Sequence, residues 1–336
     1  MKFLRLFLLF SISVFNYSVS QNQERIFTAA DLPIVDGKVY HLSLSADQLA
    51  PNIIIVGDPG RVPLLANHCL KKENRIHVFH RGLRTITGKT KNGIPVSIIT
   101  SGMGTPSTEI VINEIIALNE IDLHTRKKRE TPLHKNLNII RLGTSGGLQE
   151  DRVLGSFIIT KYAIGLDNSG LFYESKHTDE RIIELEQITK QKLDEATDKE
   201  SRFYGTIRPY AAAASSEVVQ ALYEASIEQN APVIKGITIS NSGFFANQGR
   251  DISRVALTIP NIDKVCSEIA IDDVQVENME MEASFLCHFV GGLGYQVGAI
   301  CLTVAHRTLN TFFSGDCEQK IIDMLDIVIR AFEKLQ

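Results

Sequence analysis

Three short apolar runs, each ending in a glycine-rich turn, constrain this chain more than any other feature. Ile53-Ile54-Ile55-Val56 stops at Gly57-Asp58-Pro59-Gly60. Pro95 to Thr100 stops at Ser101-Gly102-Met103-Gly104, and Asn138 to Leu142 stops at Gly143-Thr144-Ser145-Gly146-Gly147. Short continuous runs rich in β-branched residues read as strands buried on both faces. Further strands are expected at 156–161, 233–240 and 295–304. Helical spacing of apolar residues predicts helices over 107–119, 179–196, 216–229, 279–290 and 317–334. This alternation is that of an α/β protein with a largely buried sheet, and one compact domain is the simplest organisation.

Composition narrows the function classes. The chain has 336 residues, 44% hydrophobic and 22% charged, with a formal net charge of −4. That balance gives no electrostatic footprint for nucleic acid and no attraction to an anionic membrane. Trp is absent and aromatics are 7%, so a long aromatic platform is not expected. Cys69, Cys266, Cys287, Cys301 and Cys317 are scattered and odd in number, which argues against a disulfide framework and against a zinc site; no metal is expected. The charged stretch 124–136 reads as a solvated loop. At the N-terminus, Lys2 and Arg5 precede an apolar run from Leu6 to Phe15, followed by Ser18-Val19-Ser20. This is the layout of a cleaved signal peptide over residues 1–20. An N-terminal extension (21–38) and the main domain (39–336) follow.

Glycine lets backbone N–H groups approach an anion, and strand ends are where α/β sheets bind ligands. Arg61 and Arg141, beside the first and third turns, can each grip phosphate oxygens bidentately. The spacing is not that of a dinucleotide fingerprint, and no Walker lysine follows. Glu280 and Glu282 are expected to open a helix, where the dipole favours carboxylates. Phe244-Phe245-Ala246-Asn247-Gln248-Gly249-Arg250 is either a stacking surface with a polar rim or a loop anchored in the core.

Taken in order, His41-Leu42, Gly57-Asp58-Pro59-Gly60-Arg61, His80-Arg81, Gly102-Met103-Gly104, Arg141-Leu142-Gly143-Thr144 and Met279-Glu280-Met281-Glu282 resemble the nucleoside phosphorylase family of uridine and purine phosphorylases. The resemblance runs from about Tyr40 to the last helix. It implies a three-layer α/β/α fold with a mixed, partly barrel-like sheet. It also implies phosphorolysis of a nucleoside by inorganic phosphate, with no cofactor, in a dimer-based homo-oligomer, a hexamer in the family's manner.

Residue by residue, the resemblance assigns phosphate to Gly57, Arg61, Arg141 and Thr144, with Arg81 entering from a neighbouring subunit. It assigns the ribose to Glu282, Met281 and Glu280, with His41 of a neighbour at the 5′-hydroxyl. The base falls to Phe244, Gln248 and Arg250, and Glu282, Arg141 and Arg61 form the catalytic set. Gln and Arg in a Phe-rich loop match the uridine phosphorylases. The purine enzymes carry an Asp after the late strand, and here no Asp occurs between Asp273 and Asp316. Uridine is therefore the expected substrate; a purine or broad-specificity phosphorylase, a nucleosidase and a non-catalytic nucleoside-binding protein are the alternatives. Three features depart from the family. Ala246-Asn247 stands where some uridine phosphorylases have a Pro-Gly step inside the Phe/Gln/Arg loop. Gly82 stands where an acidic residue can help bind a monovalent cation, which puts that site in question. The signal-like leader points to a secreted or periplasmic protein, whereas the family is usually cytoplasmic.

Overall fold

The computed structural model describes residues 25–175 and 179–336, so the expected leader lies outside the described residues. Ten strands build the functional part of the sheet: β1 (Asn52–Val56), β2 (Ile76–His80), β3 (Leu83–Lys89), β4 (Pro95–Thr100), β5 (Asn138–Gly147), β6 (Phe157–Gly165), β7 (Tyr210–Ala213), β8 (Val233–Ser240), β9 (Val274–Glu280) and β10 (Gln296–His306). Among the described residues seven α-helices surround them: α1 (Arg61–Cys69), α2 (Thr105–Glu120), α3 (Glu180–Ala196), α4 (Ser216–Glu228), α5 (Ile262–Ser267), α6 (Ala283–Gly292) and α7 (Cys317–Lys334).

The strands pair in the order β9-β8-β6-β10-β5-β1-β4-β3-β2, and β7 adds to β6. β9 also pairs with β5, placing Asn278 opposite Gly147 and Met279 opposite Gly146. β5, β9, β8, β6 and β10 thus close into a small barrel, from which β1, β4, β3 and β2 extend as an open wing. Closure removes the exposed backbone edges that an open sheet would leave. The β1, β4 and β5 contacts are parallel, whereas β6 meets β10 antiparallel, so the sheet is mixed.

Helices cover both faces. On one, α1, α4 and α7 pack Leu65, Leu222 and Phe332 against Ile54, Ile98 and Ile140. On the other, α2 and α6 pack Ile112, Ile115 and Phe285 against Ile53, Ile55 and Ile139. Consecutive β1 residues thus feed opposite cores, which is why that run is apolar without alternation. A third cluster joins α3 and α5 to β8 and β9 through Leu185, Ile262 and Ile237. The layers are those expected from the sequence.

Two expectations are corrected. β5 does not stop at Leu142 but runs through the glycines to Gly147. There the missing side chains allow close approach: a Cβ on Gly143 would stand 2.8 Å from the Arg141 guanidinium carbon, and one on Gly147 would stand 2.8 Å from Thr303. Glycine marks a crowded strand here, not a break. The helix expected over 279–290 begins only at Ala283, with Glu282 as its N-cap, and residues 274–280 are strand β9. Pairing with β8 on one side and β5 on the other outweighs the carboxylate signal for a helix start.

Candidate functional site

A cavity of about 380 Å³ lies where β1, β4, β5, β9 and β10 end and the loop after β8 folds over. Strand carboxyl ends are the expected place for a ligand in such a sheet. Its lining residues differ in chemistry.

Gly57, Arg61, Arg141 and Thr144 are among its lining residues. Arg61 opens α1, directly after the Asp58–Gly60 turn, in which Gly60 donates its N–H to Asp58 Oδ1 (2.8 Å). Among the described residues Arg61 has no carboxylate within ion-pair distance. Burial, then the nearby Arg141 cation, holds its pKa below the ordinary arginine range. Two guanidinium groups crowding one pocket favour an anion between them.

Arg141 is 4% exposed and bridges two carboxylates. Its Nε donates to Glu280 Oε2 at 2.7 Å, and its Nη2 pairs with Glu282 Oε2. Those carboxylates push its pKa up against the opposing effect of burial. Nη1 is buried and has no hydrogen-bond partner among the described residues, which leaves a donor nitrogen for a ligand oxygen.

Glu280 is almost wholly committed to the protein. Besides Arg141, it accepts from the Ser240 hydroxyl, from Glu282 N–H (2.9 Å) and from Ala283 N–H (3.0 Å). It ties the end of β8 to the start of α6 and fixes Arg141 between them. Glu282 accepts from Gly104 N–H at 2.6 Å, so the second glycine turn holds a carboxylate of the protein itself. Gly104 sits at φ +86°, a conformation only glycine adopts freely. Burial pushes the Glu282 carboxyl up to about 6, with Arg141 opposing and Glu280 adding to the shift. Met281, between the two acids, lines the cavity beside Met103.

A further part of the wall is built by the loop after β8. Gln248 is buried, and Phe244 is half exposed. Arg250 Nη1 donates to Gln248 Oε1 and to Phe244 O, both at 2.6 Å, and its guanidinium lies 3.8 Å over the Phe244 ring. Burial and Arg307 bring the Arg250 pKa down to about 10. The loop is therefore anchored by its own arginine, with Phe244 left half exposed. Arg307, which sequence reasoning did not single out, anchors it: Nη2 donates to Gln248 O (2.8 Å) and pairs with Asp263 (3.2 Å). Val304, Ala305 and Phe312 complete the wall and were equally missed. Their signal was the late strand itself, whose end must face the same cavity as the other strand ends.

His41 and Arg81 do not line this cavity. They lie together elsewhere: Arg81 Nη1 donates to the Tyr40 hydroxyl (3.3 Å), and His80 Nδ1 lies 3.0 Å from His41 O. His41 Nδ1 is 2.7 Å from buried Glu114, which also accepts from the His41 and Leu42 N–H groups at 2.7 Å each. Arg81 and Gly82 form the two-residue turn between β2 and β3, both with positive φ (+51° and +81°). Such turns favour glycine at the second position, which accounts for Gly82 in conformational terms.

Residues 51–332 match the family model described as the phosphorylase superfamily. The chain is 29% identical over 293 residues to a uridine phosphorylase of Thermococcus kodakarensis, covering 85% of this chain and 84% of that protein. It is 27% identical over 206 residues to a DeoD-type purine nucleoside phosphorylase of Clostridium perfringens, covering 61% of this chain and 67% of the relative. Among solved structures it resembles a Trypanosoma brucei nucleoside phosphorylase described as showing uridine phosphorylase activity, with a TM-score of 0.79 and 32% identity over 90% of this chain and 99% of that one. With the fold, the cavity and a family match over most of its length in agreement, the chain belongs to the phosphorylase superfamily and is a nucleoside phosphorylase by kinship.

Proposed function

We propose that this protein cleaves uridine with inorganic phosphate, giving uracil and ribose 1-phosphate. One observation carries the reading: a single cavity is lined by an anion-seeking pair, Arg61 and Arg141, by a Phe244–Gln248–Arg250 wall and by the buried carboxylate of Glu282. Phosphate belongs with the two arginines, Gly57 and Thr144. The ribose hydroxyls donate to Glu282, and the sugar packs on Met281. Uracil stacks against Phe244, with Gln248 and Arg250 along its polar edge.

In the reaction, a phosphate oxygen attacks C1′ as the C1′–N1 bond breaks. The bonding pair leaves with the base, which is protonated from solvent to uracil. The protein contributes alignment and a preset electrostatic field. Arginine and amide donors face the base where negative charge grows, and Arg141 keeps Glu282 placed against the sugar. Glu280 acts through Arg141 as a positioning residue. His41 and Arg81, which cluster away from their own cavity, serve the cavity of a neighbouring subunit in a dimer-based oligomer.

The test is product analysis on uridine, thymidine, inosine and adenosine, with and without phosphate. Uridine should be cleaved, only with phosphate, and fastest of the four. Equal cleavage in water alone identifies a nucleosidase. A preference for inosine or adenosine identifies a purine enzyme.

A further inference from the structure

Inside the barrel runs a chain of buried hydroxyl and amide groups that ends at the cavity. Thr160 Oγ1 lies 2.7 Å from Thr238 Oγ1, Thr238 Oγ1 donates to Asn278 Oδ1 (2.8 Å), and Asn278 Nδ2 donates to Ser145 Oγ (2.8 Å). Thr160, Thr238 and Asn278 are completely buried, and Ser145 is 4% exposed and lines the cavity.

The polarity of this chain follows from counting hydrogens. In the observed orientation Thr160 donates to Thr238, Thr238 to Asn278 and Asn278 to Ser145. Both threonine hydroxyl hydrogens of this chain are then used, and the unspent one is that of Ser145, at the cavity wall. With the Asn278 amide turned over, Ser145 would donate inward and each bond would reverse. The hydrogen left over would be that of Thr160, which has no other partner among the described residues. An unmade buried donor costs about 1–3 kcal/mol, so the barrel selects the first arrangement.

We infer that Ser145 is a further substrate-contacting residue, a hydroxyl donor to a carbonyl oxygen of the departing pyrimidine, and that Thr238 and Asn278 are positioning residues that keep its hydrogen turned toward the cavity. The acceptor is placed on the base by neighbourhood. Ser145 follows Thr144, placed with the phosphate, and precedes Gly146, against which Arg307, the anchor of Gln248, is packed. A carbonyl there gains negative charge as the glycosidic bond breaks, so a fixed donor is worth more in the transition state than in the ground state. This assignment rests on the uridine reading above.

Steady-state kinetics on uridine, 2-thiouridine and 4-thiouridine test it, because sulfur is a poorer acceptor than oxygen. Ser145→Ala should lower kcat/KM for uridine about tenfold. It should leave the phosphate KM within about twofold, a control that a disturbed fold would fail. Wild type should disfavour one of the two thio analogues, and Ser145→Ala should lose that discrimination. Ser145→Thr, which keeps the hydroxyl, should retain it. Thr238→Val, remote from the cavity, frees the Asn278 amide to turn over and should weaken the same discrimination. Ser145→Ala with unchanged uridine kinetics and unchanged thio discrimination overturns the Ser145 assignment alone. Discrimination intact in Thr238→Val overturns the positioning role. A wild type that does not cleave uridine overturns the parent reading, and this assignment with it.

Discussion

Arg141 and Glu280 form a 2.7 Å ion pair beneath the cavity, with both side chains almost fully buried. Neither is near its partner in sequence. The pair holds because both Glu280 oxygens are saturated by further donors, and because Gly143 leaves room for the guanidinium to lie against its own strand. Glu280→Gln leaves Arg141 paired with Glu282 but puts an amide nitrogen where a carboxylate oxygen accepted from buried donors. It should therefore destabilise the fold by about 1–3 kcal/mol in urea denaturation, the cost of an unmade buried hydrogen bond. It should also raise the phosphate KM, because the guanidinium is then held by Glu282 alone. A stability change under about 1 kcal/mol would show the pair to be energetically idle.

The Glu282 carboxyl, pushed up to about 6 by burial, gives a pH dependence with a defined sign. Its folded-state pKa lies above the ordinary 4.5, so the folded protein binds this proton more readily than the unfolded chain does. The charged form therefore subtracts stability above about pH 6, and the penalty fades as pH falls toward 4.5. Function runs the other way, since only the carboxylate accepts from two ribose hydroxyls. Uridine affinity, measured by calorimetry without phosphate so that phosphate's own titration plays no part, should fall as pH drops through about 6. The inflection should vanish in Glu282→Gln. An affinity flat from pH 5 to 8 would remove Glu282 from the sugar site.

Gln248 is oriented by Arg250 on one side and by Arg307 through its backbone on the other. Gln248→Ala should reduce kcat/KM for uridine by a factor corresponding to about 1–3 kcal/mol, the cost of an unmade buried hydrogen bond. Inosine turnover at saturating phosphate should change much less. Equal losses on both nucleosides would make the residue a structural prop for its loop.

The separation of His41 and Arg81 from their own cavity leads to a complementation experiment. Arg81→Ala and Glu282→Ala should each be nearly inactive alone. Co-refolded, they should regain activity, because a mixed dimer holds one cavity with an intact Glu282 and an intact neighbouring Arg81. Mixed oligomers that form but stay inactive would confine the working site to one chain.

The apolar runs made the layered α/β fold legible from the sequence, because a strand fed by cores on both faces must be apolar throughout. Ile53 to Val56 carries that message without any partner in view. The glycine turns marked strand ends correctly at Gly57 and Gly102, but misled at Gly143. Glycine absent a side chain reads alike whether the backbone turns or merely passes close to Arg141, and only the neighbour decides between them. Glu280 and Glu282 likewise looked like a helix start. Two strands, β8 and β5, had to be brought alongside residues 274–280 before the extended form could win, and that pairing is non-local.

The residue types at the candidate site were readable from the chain alone, since phosphate, sugar and base each ask for a distinct chemistry. Their division of labour was not. Hydrogen-bond partnership depends on distances between elements far apart in sequence, so only the tertiary structure committed Glu280 to Arg141, Gly104 to Glu282 and Arg307 to Gln248. The resemblance already sent His41 and Arg81 toward a neighbouring subunit, but only the tertiary structure placed them together on Tyr40 and Glu114, because which surface a hairpin turn presents is decided by how the wing packs on the barrel.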